Sequence, residues 1–150
     1  MKSNEMNVQL HALSELSDAT AVNRRALRRL NPMSQVNVDM KVKVLPDLAS
    51  GRISIVVTCS YTAEVYLIRT HLAVCSVVAT FDVEDLESYI EYPEGGEMRI
   101  ATPLMSMMLG IAVGALRGMI AVRLAGTPLS KHPMPIINMA ALIERLSYTS

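Results

Sequence analysis

Residues 36–44 constrain the fold more than any other stretch of the chain. Val36, Val38, Met40, Val42 and Val44 alternate with Asn37, Asp39, Lys41 and Lys43. A period of two puts every apolar side chain on one face of an extended strand and every polar one on the other. Such a strand belongs to an antiparallel sheet with one buried face and one wet face. The turn Leu45-Pro46-Asp47-Leu48-Ala49-Ser50-Gly51 ends it. Alternation resumes over 52–62, with Ile53, Ile55, Val57, Cys59 and Tyr61 on one side and Arg52, Ser54, Thr58 and Ser60 on the other. A β-rich run over 65–81 follows. Short connections make these three strands sequential neighbours, so an antiparallel meander is expected. Residues 6–13 alternate as well, with Met6, Val8, Leu10 and Ala12 on one side, and add a first strand.

Between the first strand and the meander, residues 14–35 do not alternate. They contain Arg24, Arg25, Arg28 and Arg29, with Val22, Ala26, Leu27 and Leu30 at helical spacing and Asn31-Pro32 as a stop. This reads as a short basic amphipathic turn or helix. It is either a solvated loop or a contact for an acidic partner or for nucleic acid. After the meander, residues 82–97 hold half of the chain's 14 acids (Asp82, Glu84, Asp85, Glu87, Glu91, Glu94, Glu97) and no Lys or Arg. Val83, Leu86 and Ile90 predict a short surface helix there. Its acids, Glu84, Asp85 and Glu87 first, form a wet face or a docking patch for a basic partner.

The second half turns helical. Thr102-Pro103 reads as a helix start, the run continues to Ala125, and Gly126 reads as the C-terminal cap. No charge occurs from Pro103 to Leu116, but the uncharged stretch stops at Arg117, short of the roughly 20 residues a membrane span needs. Ser106, Gly110, Gly114 and Gly118 recur every four residues. Glycine costs up to about 1 kcal/mol in a helix interior, so the stripe requires a reason. It allows close approach either of the sheet or of a second subunit. A helix apolar all round buries more than one side. The interface candidates are therefore Met105, Met108, Gly110, Ile111, Gly114 and Gly118, with Ala112 beside them. A Pro-rich loop over 126–135 leads to a last helix capped by Asn138, running from Met139 to about Ser147.

The order is four strands, a long helix, a stiff loop and a short helix. That predicts an α+β fold over a single domain, 1–150: a four-stranded antiparallel sheet with both helices on one face. With 51% hydrophobic and 19% charged residues, disorder is excluded over most of the chain. Fourteen basic residues balance 14 acidic ones, which argues against a dedicated nucleic-acid binder. No nucleophile elbow, phosphate loop or dinucleotide fingerprint occurs. His11, His71, His132, Cys59 and Cys75 lack metal-ligand spacing, so no metal, cofactor or catalytic residue is expected. The two cysteines and the start, which has no apolar signal region, fit a reduced cytoplasmic chain. Eleven Met and a single Phe make the apolar surface adaptable.

Several residues in this order resemble the SecB family of export chaperones. They are Thr80-Phe81-Asp82-Val83, Ala115-Leu116-Arg117-Gly118-Met119-Ile120, Gly126-Thr127-Pro128, and Pro135-Ile136-Ile137-Asn138-Met139-Ala140-Ala141-Leu142. The similarity follows the element order over most of the chain and the residues from about 66 to 146. It implies an ATP-independent holdase that binds unfolded polypeptides and keeps them translocation-competent. It also implies a homotetramer built as a dimer of dimers, and the SecA translocase motor as a partner. The client groove is expected between the last helix, the 14–35 connection and the sheet, with Val22, Leu27, Leu30, Leu142, Ile143 and Leu146 as its residues. The alternative on the same fold is a module dedicated to one client, such as an unstable antitoxin. For that reading Arg24, Arg25, Arg28 and Arg29 are the discriminating feature.

Overall fold

Three long strands pair in sequence because their apolar periods coincide. The computed structural model describes residues 6–93 and 96–146. Strand β1 spans Val8–Glu15, a two-residue β2 spans Ala21–Val22, and helix α1 spans Arg24–Arg28. The meander is β3 (Val36–Asp47), β4 (Arg52–Val65) and β5 (Ile68–Val83). Short strands β6 (Ile90–Glu91) and β7 (Arg99–Ile100) pair with each other. Helices α2 (Thr102–Arg123) and α3 (Met139–Glu144) complete the chain. The fold is α+β, with an antiparallel sheet, a long helix and a short C-terminal helix.

The sheet order is β1-β5-β4-β3, with β2 continuing the β1 edge of β5. The first strand thus returns beside the last one, a Greek-key arrangement. Register fixes the core. Val38 faces Tyr61, Met40 faces Cys59 and Val42 faces Val57, while Ile55 faces Ala79 and Ile53 faces Phe81. All five expected inward residues of β4 are fully buried. Gly51 takes the left-handed conformation (φ 69°) that closes the β3–β4 turn.

Helix α2 crosses β4 and β5, and α3 packs on α2. The buried residues of α2 are Leu104, Met105, Met108, Leu109, Ala112, Val113, Leu116 and Ile120. Burying a Leu, Ile or Met side chain contributes about 1.5–3 kcal/mol each, so this one face supplies much of the fold's stability. Arg117 donates to the carbonyls of Met134 (2.6 Å) and Pro135 (3.2 Å). That clamps the Pro-rich loop onto α2 and aims the chain into α3, whose cap Asn138 accepts from the amide of Ala141.

Two expectations are corrected here. The segment after Phe81 is not a helix: β5 runs on to Val83, then a single 3-10 turn (Leu86–Tyr89) leads into β6. Val83 continues the inward alternation of β5, which is a stronger constraint than a one-turn helical spacing. Strand β1 does not keep a period of two either. A bulge between Leu10 and Ala12 puts Leu10 opposite Phe81 and Leu13 opposite Ala79. Both leucines therefore sit on the helix-side face, nearly half exposed beyond the cover of α2.

Candidate functional site

The connection at 14–35 folds as the basic amphipathic segment that its spacing predicts. Asn23 caps α1 by accepting from the Ala26 amide (3.0 Å). The same residue docks the helix on β5: its amide donates to the Leu72 carbonyl (2.8 Å) and its side chain to the His71 carbonyl (3.2 Å). Ala26 and Leu27 turn inward and are buried, while Arg24, Arg25, Arg28 and Arg29 are exposed. None of the four forms an ion pair with another described residue.

A cleft of about 450 Å³ opens where α1 meets the end of α2. Arg24, Leu27, Arg28 and Leu30 line one side, and Gly126, Thr127 and Pro128 the other. The second wall was not expected from the sequence. Its signal was the Gly-Thr-Pro stop after α2, which lies about 100 residues from α1 in the chain and joins it in one cleft. The cleft has an apolar floor and a basic rim, which suits an extended apolar segment carrying acids.

The six residues expected to line a groove divide. Leu27 and Leu142 are buried and close the core, so only their edges are presented. Val22, Leu30, Ile143 and Leu146 are half-buried against that core. Leu27 and Leu30 share the α1 cleft, whereas Leu142, Ile143 and Leu146 lie on and just after α3 and do not line it. The acids Glu84, Asp85 and Glu87 are exposed at the far end of β5 from α1. Twelve residues of strand separate His71 from Val83, roughly 40 Å. The arginines of α1 and these three acids therefore lie toward opposite ends of β5. Glu94 lies outside the described residues.

The long helix corrects a further set of expectations. Met105, Met108 and Ala112 are 0% exposed and pack against the sheet, so they do not reach the outer face. Gly110, Ile111, Gly114 and Gly118 do lie outward. A Cβ at any of the three glycines would meet nothing within 4 Å, so the stripe does not serve packing on the sheet. Val122 is 78% exposed on the same helix. By length and composition α2 is apolar enough to cross a membrane; in this fold its inner face is the core.

Titratable groups in the core are held neutral. Burial pushes the Cys59 thiol up to about 11, and raises the Cys75 thiol opposite it as well. Burial likewise raises the Tyr61 phenol, with the neighbouring Cys59 thiol adding to the rise; its hydroxyl forms no hydrogen bond of normal geometry among the described residues. Both cysteines are free thiols, and neutral buried thiols are poor nucleophiles. On the surface, Arg52 donates to Asp82 (2.7 Å) and holds its carboxyl below the usual range, with His11 on the other oxygen at 3.1 Å. Among the described residues, no group of three or more His, Cys, Asp or Glu is placed to hold a metal.

No family model matches the chain, and no curated protein does. Among solved structures it is similar to the SecB-like chaperone Rv1957 of Mycobacterium tuberculosis, determined in complex with a ChAD peptide from the Rv1956 HigA1 antitoxin. That likeness has a TM-score of 0.45 and 12% identity over 89% of each chain. It is also similar to a protein of unknown function from Streptococcus agalactiae, with a TM-score of 0.27 and 12% identity over 89% of this chain and 98% of that one.

Proposed function

We propose that the chain is a SecB-like, ATP-independent holdase that captures unfolded polypeptide. The observation that carries the reading is the apolar cleft between α1 and the end of α2, with partly buried Leu30 lining it. It stands on the antiparallel sheet, long helix and short C-terminal helix described above, an element order that resembles the SecB family. A passive holdase works by mass action: it binds the unfolded state and withholds it from folding. Apolar, Met-rich surface adapts to many sequences.

The outer face of α2 is the proposed subunit contact, through Gly110, Ile111, Gly114 and Gly118, in a dimer or a dimer of dimers. Arg24 and Arg28 at the rim of the cleft favour clients that carry acids. This keeps open a service dedicated to one acidic client, such as an antitoxin. Delivery to SecA would use the exposed acids Glu84, Asp85 and Glu87. The proposed site of action is the cytoplasm.

The test is spontaneous refolding of a slowly folding polypeptide, diluted from denaturant into the protein without nucleotide. Arrest at stoichiometric protein is expected, and Leu30→Asp should relieve it. Refolding that proceeds at its unassisted rate would reject the reading.

A further inference from the structure

The β4–β5 connection is a two-residue turn, since Val65 pairs with Ile68. Its central residues are Tyr66 (φ 51°) and Leu67 (φ 65°), both in the left-handed region. That geometry favours Asn-Gly; bulky side chains are rare there. Folding alone would be better served by other residues. The strained pair is also exposed: Tyr66 is 76%, Leu67 92% and Ile68 67% accessible. Three consecutive large apolar side chains thus project from the end of the longest hairpin.

Arginines flank this tip on both sides. Arg25 and Arg29 of α1 line one adjoining cleft with Val65, Tyr66 and Ile68. Arg29 and Arg69 line the other, with Tyr66 and Leu67. Glu64 is the acid within that second lining. None of these arginines has an ion-pair partner among the described residues. An apolar point ringed by cations matches a layer of anions with hydrocarbon behind it. The convex shape decides between occupants. A peptide lying in either cleft would leave the Leu67 apex in water, whereas a fluid apolar phase covers all sides of a turn at once.

We propose that the Tyr66-Leu67-Ile68 tip, with Arg25, Arg29 and Arg69, docks the protein peripherally on an anionic lipid bilayer. The tyrosine sits at the headgroup level, as aromatic rings do at membrane interfaces. The arginines meet lipid phosphates and carboxylates, and Leu67 and Ile68 enter the acyl boundary. This docking is independent of the client cleft, which lies on the Arg24 and Arg28 side of α1. It would hold the protein at a membrane surface without any spanning segment.

The experiment is vesicle flotation of the full chain with phosphatidylcholine alone and with phosphatidylcholine plus phosphatidylserine, at low and high salt. Association with the anionic vesicles only, weakened by salt, is expected. Arg25→Gln with Arg29→Gln should lower partitioning by about 25-fold, near fivefold per charge. Tyr66→Asn with Leu67→Gly relieves the turn and removes the tip together. It should melt higher than the parent and float at least about tenfold less. A better-folded protein that binds worse separates docking from stability. Absence of flotation, equal flotation with neutral lipid, or an unaffected Asn-Gly variant would each overturn the proposal. So would capture of an acidic, leucine-containing peptide by this tip with no vesicle binding, which would make the occupant a polypeptide.

Discussion

Replacing Gly114 and Gly118 with leucine separates the stability of one chain from the contact between chains. Nothing lies within 4 Å of where a Cβ would stand at either position. In a single chain the new side chains therefore point into solvent and clash with nothing. Glycine in a helix interior is about 0.8–1.0 kcal/mol worse than alanine, and leucine is close to alanine. The two changes together should stabilise the isolated chain by about 1.5 kcal/mol. For 150 residues that raises the melting temperature by about 3–6 °C. If the outward stripe is a subunit contact, the same leucines fill the space a neighbouring helix occupies and association fails. Light scattering should then give the mass of one chain where the parent gives two or four. Urea melts at dilutions where the parent is dissociated should show the variant more stable. An unchanged oligomer mass would refute the interface. A less stable dilute chain would refute the outward placement of the stripe itself.

Three further outcomes follow from the core and the α2 clamp. Tyr61→Phe removes a buried hydroxyl with no hydrogen bond of normal geometry among the described residues and should be neutral or stabilising by about 1 kcal/mol in urea melts; a loss above about 1 kcal/mol would show that the hydroxyl has a partner. Cys59 moves from 9.0 to about 11 on folding, so its contribution is complete below pH 9.0 and lost as pH climbs toward 11. Urea midpoints should fall across that window, less steeply in Cys59→Ala, and native thiols should resist a disulfide reagent that labels them on unfolding. Arg117→Met removes two charge-assisted bonds to the 134–135 carbonyls and should cost on the order of 2 kcal/mol. Hydrogen exchange should rise in α3 first; unchanged α3 protection would show that the clamp does not seat it.

What was legible in the sequence follows from where a single physical period decides. Over 36–44 and 53–61 alternation alone sets the face of each residue; Ile53 to Tyr61 are fully buried on the expected side, and on β3 the apolar side is partly buried from Val36 to Val42 and fully buried at Val44. Caps were equally readable: Asn138 accepts from Ala141, and Gly126 adopts φ 77° after the long helix. The phase of α2 was harder, because a helix apolar all round offers no hydrophobic contrast. Its glycines held that information. With Gly110, Gly114 and Gly118 outward, Met105, Met108 and Ala112 must face the sheet. The β1 bulge was hidden because residues 6–12 alternate without interruption in the chain. The hairpin tip was hidden for a different reason. Tyr66-Leu67 carries none of the Asn or Gly that marks a two-residue turn, so the run read as strand. The cleft beside α1 depends on a contact with residues 126–128 that no local pattern encodes.

The most direct measurement of the holdase reading is the affinity of the purified chain for one polypeptide in two states. A permanently unfolded variant and its folded parent would be titrated in parallel by fluorescence anisotropy, without nucleotide. Binding of the unfolded form at least about a hundredfold tighter than the folded form, weakened by Leu30→Asp, is the predicted result. Equal affinity for both forms, or binding to neither, would contradict it.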